Sequence, residues 1–242
     1  MSLLQGVFPF KPNHLGVALT AWFDADDSRT ITESGGLVSQ WSDKSGNANH
    51  VVQATGSNQP TTGTRTLNGL NVIHFDGTES MKCAAFSTAI TGARSVYVVV
   101  QQDSTGSRFV LDDSNTSRTT FFSTGGKFSN YNGGTLNTSV DEDVNLHLRE
   151  LVLDASGNGI AYHEGTQVGS ASMATNTQTG LTVGARYSAG AQMDGVIAEI
   201  IFCDEEHSDD TRNKVEGYLA WKWGLEASLP AAHPYKSSPP TV

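Results

Sequence analysis

Runs with apolar residues at every second position follow one another along almost the whole chain, separated by polar turns. Such alternation turns one set of side chains inward and the other to solvent, as a half-buried strand requires. The pattern predicts strands at 16–23, 36–41, 71–77, 80–86, 95–101, 107–113, 118–124, 126–132, 144–154, 159–165, 166–171, 180–186 and 195–204. The turn signals DGT, NGG, SGNG and EGT punctuate them. Two runs break the alternation. SVYVVVQ at 95–101 is apolar on both sets of positions, which predicts a strand buried on both faces or a barrel-like centre. GVIAEIIF at 195–202 behaves alike, except that Glu199 interrupts one face.

Only one stretch carries a helical period, 208–224. Ser208 is placed to cap its first turn, and Asp209 and Asp210 set negative charge at the positive end. Val215, Tyr218 and Leu219 form its apolar stripe, and Gly224 stops it. The proline-rich remainder predicts an extended segment wrapped over the surface. No internal repeat or linker divides the chain. The expected organisation is an N-terminal arm, 1–14, and a single domain, 15–242, all-β with one C-terminal α-helix.

The net charge of −10, without a cluster of Lys or Arg, speaks against a nucleic-acid surface. Cys83 and Cys203 each fall in a strand-like run far apart in sequence, so two buried thiols are expected rather than a disulfide. The first residues, MSLLQGVFPFKPNH, have neither the charged start nor the long apolar core of a secretion signal or membrane anchor. The expectation is therefore synthesis without a signal peptide and no membrane insertion.

Particular motifs in a fixed order carry a resemblance: WFDADD (22–27), WSDKSGNANH (41–50), HFDGT (74–78), YHEGTQVGS (162–170), LTVGAR (181–186), MDGVIAEIIF (193–202) and a closing VEGYLAWKWG…LPAAHPY (215–235). With them the chain resembles the laminin-G-like, concanavalin A-type jelly-roll domains of phage structural and bacterial surface proteins. The resemblance implies a two-sheet antiparallel sandwich. It implies no reaction, because this fold carries lectins, hydrolases, lyases and inert modules.

Within WSDKSGNANH, Trp41 reads as a core anchor and Asp43, Ser45, Gly46 and Asn47 as turn builders, with Asp43 and Asn47 as alternative cation ligands. In DADD, the carboxylates of Asp24, Asp26 and Asp27 offer a candidate calcium site, although no cofactor is required by the sequence. Glu199 stands alone between apolar residues and lacks the second carboxylate of a glycosidase; the family resemblance implies that it makes a structural hydrogen bond to a neighbouring loop. Asn145, His147 and Arg149 share one strand face by period two and are the strongest lyase signal. For glycan recognition, Tyr131 between Asn130 and Asn132, and Tyr187 in ARYSAG, combine aromatic faces with amides in polar surroundings. Trp221 and Trp223 are better explained by helix packing.

These readings point away from catalysis. They favour a structural or recognition module of a virion or extracellular surface: a phage fibre, tail or capsid-decoration protein with glycan binding and a role in host attachment. The alternative on the same fold is a polysaccharide lyase or glycoside hydrolase. Expected partners are other virion or surface proteins docking through residues 1–14, cell-surface glycan and further copies of the chain.

Overall fold

The structure, a computed structural model, describes residues 9–242. Two antiparallel sheets stack as a sandwich. The seven-stranded sheet runs in the order Leu19–Asp24, Asp194–Cys203, Arg94–Gln102, Leu146–Leu153, Asn158–His163 and Thr166–Ser172, with Ile73–Asp76 also pairing onto Asp194–Cys203. The nine-stranded sheet runs Thr135–Asp141, Lys127–Tyr131, Thr120–Thr124, Phe109–Asp112, Leu181–Val183, Met81–Cys83, Val51–Val52, Leu37–Trp41 and Ile31–Ser34. Neither sheet closes into a barrel.

The strand that is apolar on both faces is explained by two cores. Val96, Val98 and Val100 face the space between the sheets, with Phe23, Ile200, Phe202, Phe121 and Phe128. Tyr97 and Val99 face the other way, onto Val215, Leu219, Ala220 and Trp223 of the helix Asp209–Trp223. The helix thus covers the outer face of the seven-stranded sheet, and its central strands have no solvent side. Truncating one of these contacts, as in Leu219→Ala, costs about 2–5 kcal/mol in a packed core.

The helix boundaries follow from their caps. Ser208 Oγ accepts the Thr211 N–H at 3.3 Å, and Gly224 takes the left-handed conformation, φ 77°, and returns its N–H to Ala220 O. Cys83 and Cys203 are free, buried thiols.

Beyond the helix, the chain wraps the surface but as successive turns rather than one extended strand. Side-chain anchors set its path: Leu225 and Leu229 are buried in the helix-side core, and Trp221 Nε1 donates to Tyr235 O at 2.9 Å. Residues 1–8 of the expected arm lie outside the described residues. The rest of it packs on its own domain: Phe10 is buried against Tyr218, and its N–H donates to Pro240 O at 3.0 Å. Among the described residues no helix is long and apolar enough to cross a membrane.

Candidate functional site

The polar turn after Trp41 is architecture. Trp41 is wholly buried, its ring 5.5 Å from that of Phe23. Asp43 Oδ1 accepts the backbone N–H of Trp22 and of Ser45, at 2.9 and 2.8 Å, and its Oδ2 accepts Ser45 Oγ–H and Asn49 N–H. Asn47 and Asn49 each donate their side-chain amide to Thr20 O, at 3.1 and 2.9 Å. The turn therefore clamps the Leu19–Asp24 strand, its side chains pairing backbone groups of that strand.

The acidic run beside it is built into a network of ion pairs. Lys222 Nζ bonds Asp24 Oδ1 at 2.5 Å and Glu199 Oε2 at 2.8 Å. Lys44 Nζ lies 2.8 Å from Asp24 and 2.9 Å from Asp27, and Arg29 forks onto Asp27. Burial works to raise the Asp24 carboxyl, but Lys222 and Lys44 outweigh it and hold it below its usual range. Asp26 is exposed, and one of its oxygens accepts the Asn71 N–H at 3.2 Å. Protein cations thus already surround two of the three proposed calcium ligands.

Glu199 makes structural hydrogen bonds, as the resemblance implied, but its partners come from the helix and the first strand and not from a loop. Trp22 Nε1, Tyr218 Oη, Lys222 Nζ and Trp223 Nε1 all donate to it, at 2.7–2.9 Å.

The lyase constellation does not assemble. Asn145 precedes the strand and is exposed. Arg149 is buried in a bidentate pair with Glu142, at 2.8 and 2.6 Å, with Phe128 under its guanidinium. A guanidinium spent on an internal carboxylate does not neutralise a substrate.

The four glycan candidates separate. The strand Lys127–Tyr131 takes Ser129, Asn130 and Tyr131 of SNYNGG, so Asn130 and Tyr131 point to opposite faces, and Asn132 opens the bend that follows. Asn130 and Asn132 are buried, and their amides donate to Thr120 O and Ala174 O. Tyr131 is on the outer face, opposite Thr120, beside the pair Phe109–Phe122 on the neighbouring strands. Tyr187 arrives from the loop after Leu181–Val183. Both tyrosines line one cleft of about 420 Å³ with Phe109, Phe122, Thr116, Ser117, Arg118, Thr120 and Arg186.

The cleft wall is aromatic and cationic. Phe109 and Phe122 stack with ring centroids 5.3 Å apart and planes 24° from parallel. The Arg186 guanidinium stands 5.3 Å from the Tyr187 ring and 5.9 Å from the Phe109 ring. Beneath lies Asp112, wholly buried. It accepts from Ser117, Thr120 and the backbone N–H groups of Asp113, Arg118 and Tyr187. Burial pushes its carboxyl above the usual range, against the pull of these donors. Phe109, Phe122, Arg118 and Arg186 escaped sequence reading. One signal was available: Phe121 and Phe122 are consecutive in a strand, so one of them had to face outward.

No protein-family model and no curated protein matches the chain. Solved structures are similar in fold. Domain 4 of AbnA, an extracellular GH43 arabinanase of Geobacillus stearothermophilus solved with arabinotriose, superposes at TM-score 0.58 and 11% identity, over 80% of this chain and 95% of that one. The binding domain of Paraclostridial Mosquitocidal Protein 1 gives 0.61 at 9% identity, over 86% of this chain and 53% of that one. Trypanosoma rangeli sialidase in complex with sialic acid gives 0.58 at 14%, over 85% of this chain but 33% of its own length. At these identities the similarity shows the fold alone, consistent with a two-sheet β-sandwich.

Proposed function

We propose that this chain is a non-catalytic glycan-recognition module, and that the Tyr131–Tyr187 cleft takes an acidic sugar. The observation that carries the reading is the composition of the cleft: four aromatic rings, three hydroxyl residues and two arginines, with no carboxylate among the lining residues of a chain whose net charge is −10. Sugar rings place their C–H faces on aromatic rings, and their hydroxyls need hydrogen-bond partners such as Thr116, Ser117 and Thr120. A carboxylate on the sugar would meet Arg118 and Arg186. Support also comes from the fold neighbours, whose own structures hold arabinotriose and sialic acid. The reading extends to a laminin-G-like module displayed on a virion or cell surface, supported by the motif order in the sequence and by its low content of charged residues.

The hydrolase alternative is disfavoured because paired carboxylates are the usual equipment for glycoside hydrolysis and none lines the cleft. The test is a screen of the purified chain against sialylated, uronate-containing and neutral glycans, with product release followed on the same polymers. Saturable, salt-sensitive binding of an acidic glycan without turnover is expected. Tyr131→Ala and Tyr187→Ala should each weaken it by about 1–2 kcal/mol, roughly 5- to 30-fold. Equal binding of neutral glycans would overturn the acidic specificity, and unchanged affinity in both variants would overturn the site.

A further inference from the structure

Away from the cleft, the strand Leu146–Leu153 and the hairpin after Asn158–His163 bring together His147, His163 and Glu164, one donor atom from each lying within 4.8 Å of the others. His147 Nδ1 is 3.0 Å from Glu164 Oε1, and His163 Nε2 is 3.9 Å from the same oxygen. Local structure enforces this meeting. Arg149 pairs with His163 across the two strands, so His147 and His163 are diagonal neighbours on one face, with ring centroids 4.5 Å apart. His163 pairs with Thr166, which leaves a two-residue turn, Glu164–Gly165, with φ of 52° and 74°. Both positive angles fit the tight hairpin turn that matches strand twist, and the Glu164 N–H is fastened to Leu148 O at 2.9 Å.

Two features of this group point to a ligand from outside the chain. His147 Nε2 lies 2.8 Å from Asp143 Oδ1, the carboxylate–histidine arrangement that orients metal-bound imidazoles. With Nε2–H donated to Asp143, His147 Nδ1 would aim a lone pair at the Glu164 carboxylate. That contact is repulsive unless the ring carries a second proton or a cation lies between them. Finally, ligand atoms around a tetrahedral ion with bonds of 2.0–2.1 Å stand about 3.3 Å apart. The observed 3.0 and 3.9 Å fall on either side of that spacing.

We propose that His147, His163 and Glu164 form a binding site for one divalent transition-metal ion of the zinc type, with Asp143 orienting His147 and a fourth position left to water. Two nitrogens and one oxygen suit zinc or cobalt, whereas calcium takes oxygen ligands only. The three side chains are 10–17% exposed, so an ion can enter from the edge of the sandwich. Bound there, it would tie the hairpin turn to the neighbouring strand. None of these residues lines the tyrosine cleft, so the site stands or falls independently of glycan recognition.

The test uses the whole, tag-free chain stripped with EDTA and titrated with Zn²⁺. One equivalent is expected to bind, with a rise in melting temperature. His163→Gln and Glu164→Gln should each lower the affinity at least tenfold, and Asp143→Asn by about 10- to 100-fold while the ligands remain. Failure to bind one equivalent, or equal affinity in the His163→Gln and Glu164→Gln variants, would overturn the site. Should a variant not fold, Co²⁺ bound to the wild-type chain decides. The strong visible absorption of a low-coordinate N,O site supports the proposal, and the weak spectrum of the octahedral aqueous ion sinks it.

Discussion

The backbone N–H of Tyr187 donates to the buried carboxylate of Asp112 at 3.1 Å, so one wall of the cleft is held from beneath its floor. The opposite wall hangs from the same group, through Ser117, Arg118 and Thr120. Asp112→Asn keeps the size but presents an amide N–H₂ to donors that need an acceptor. Leaving one or two of them unpaired should cost about 1–3 kcal/mol of stability. Because both walls move, glycan affinity should fall although no ring that touches the sugar has changed. Urea unfolding and glycan titration on the same sample check this; unchanged affinity would show that the walls do not depend on Asp112.

The parts of this molecule that were legible in its sequence are those fixed by neighbours along the chain. Ser208, the first-turn aspartates and Gly224 bracket the helix because capping acts over one turn. The two-faced run at 95–101 announced burial on both sides, though which element supplied the second cover was not readable. What stayed hidden is non-local. The cleft draws Phe109, Phe122, Tyr131 and Tyr187 from different strands and a loop, and only the sheet register brings them side by side. Asn130 and Asn132 are buried for different reasons, the first turned inward by strand alternation and the second folded back onto Ala174 O just past the strand end, and only the second depends on chain distant in sequence.

Glu199 joins the helix to both the sheet and the acidic turn, since Lys222 bridges it to Asp24. Glu199→Ala would strand two indole N–H groups and leave the ammonium of Lys222 with Asp24 alone. Removing one partner of a buried ion pair costs about 3–5 kcal/mol. The expected outcome is a large fall in the urea midpoint, with the C-terminal helix the first element to lose protection in hydrogen exchange. Glu199→Gln retains an acceptor and should cost less. If Glu199→Ala were as stable as the parent chain, the network would be incidental to helix docking.

His207 gives the fold a defined acid sensitivity. Its Nδ1 shares a 2.8 Å hydrogen bond with the Tyr97 hydroxyl, and its Nε2 is buried without a hydrogen bond, 3.6 Å from the half-exposed carboxylate of Glu205. Burial lowers its pKa from 6.5 to about 4. In the unfolded chain the imidazole takes a proton as pH drops below about 6.5, whereas in the folded chain it stays neutral until about pH 4. Between those values the unfolded state binds more protons, so stability falls as pH is lowered through the window. The loss approaches a ceiling of about 3 kcal/mol at its acid end. His207→Asn keeps a polar atom near Nδ1 for Tyr97 but does not titrate. Carboxylates affect parent and variant alike, so the quantity to follow is their difference in unfolding free energy between pH 7 and pH 4, measured in EDTA. That difference should shift toward the variant by up to the same 3 kcal/mol. Parallel curves across the window would mean that His207 takes its proton in the folded state as readily as in water.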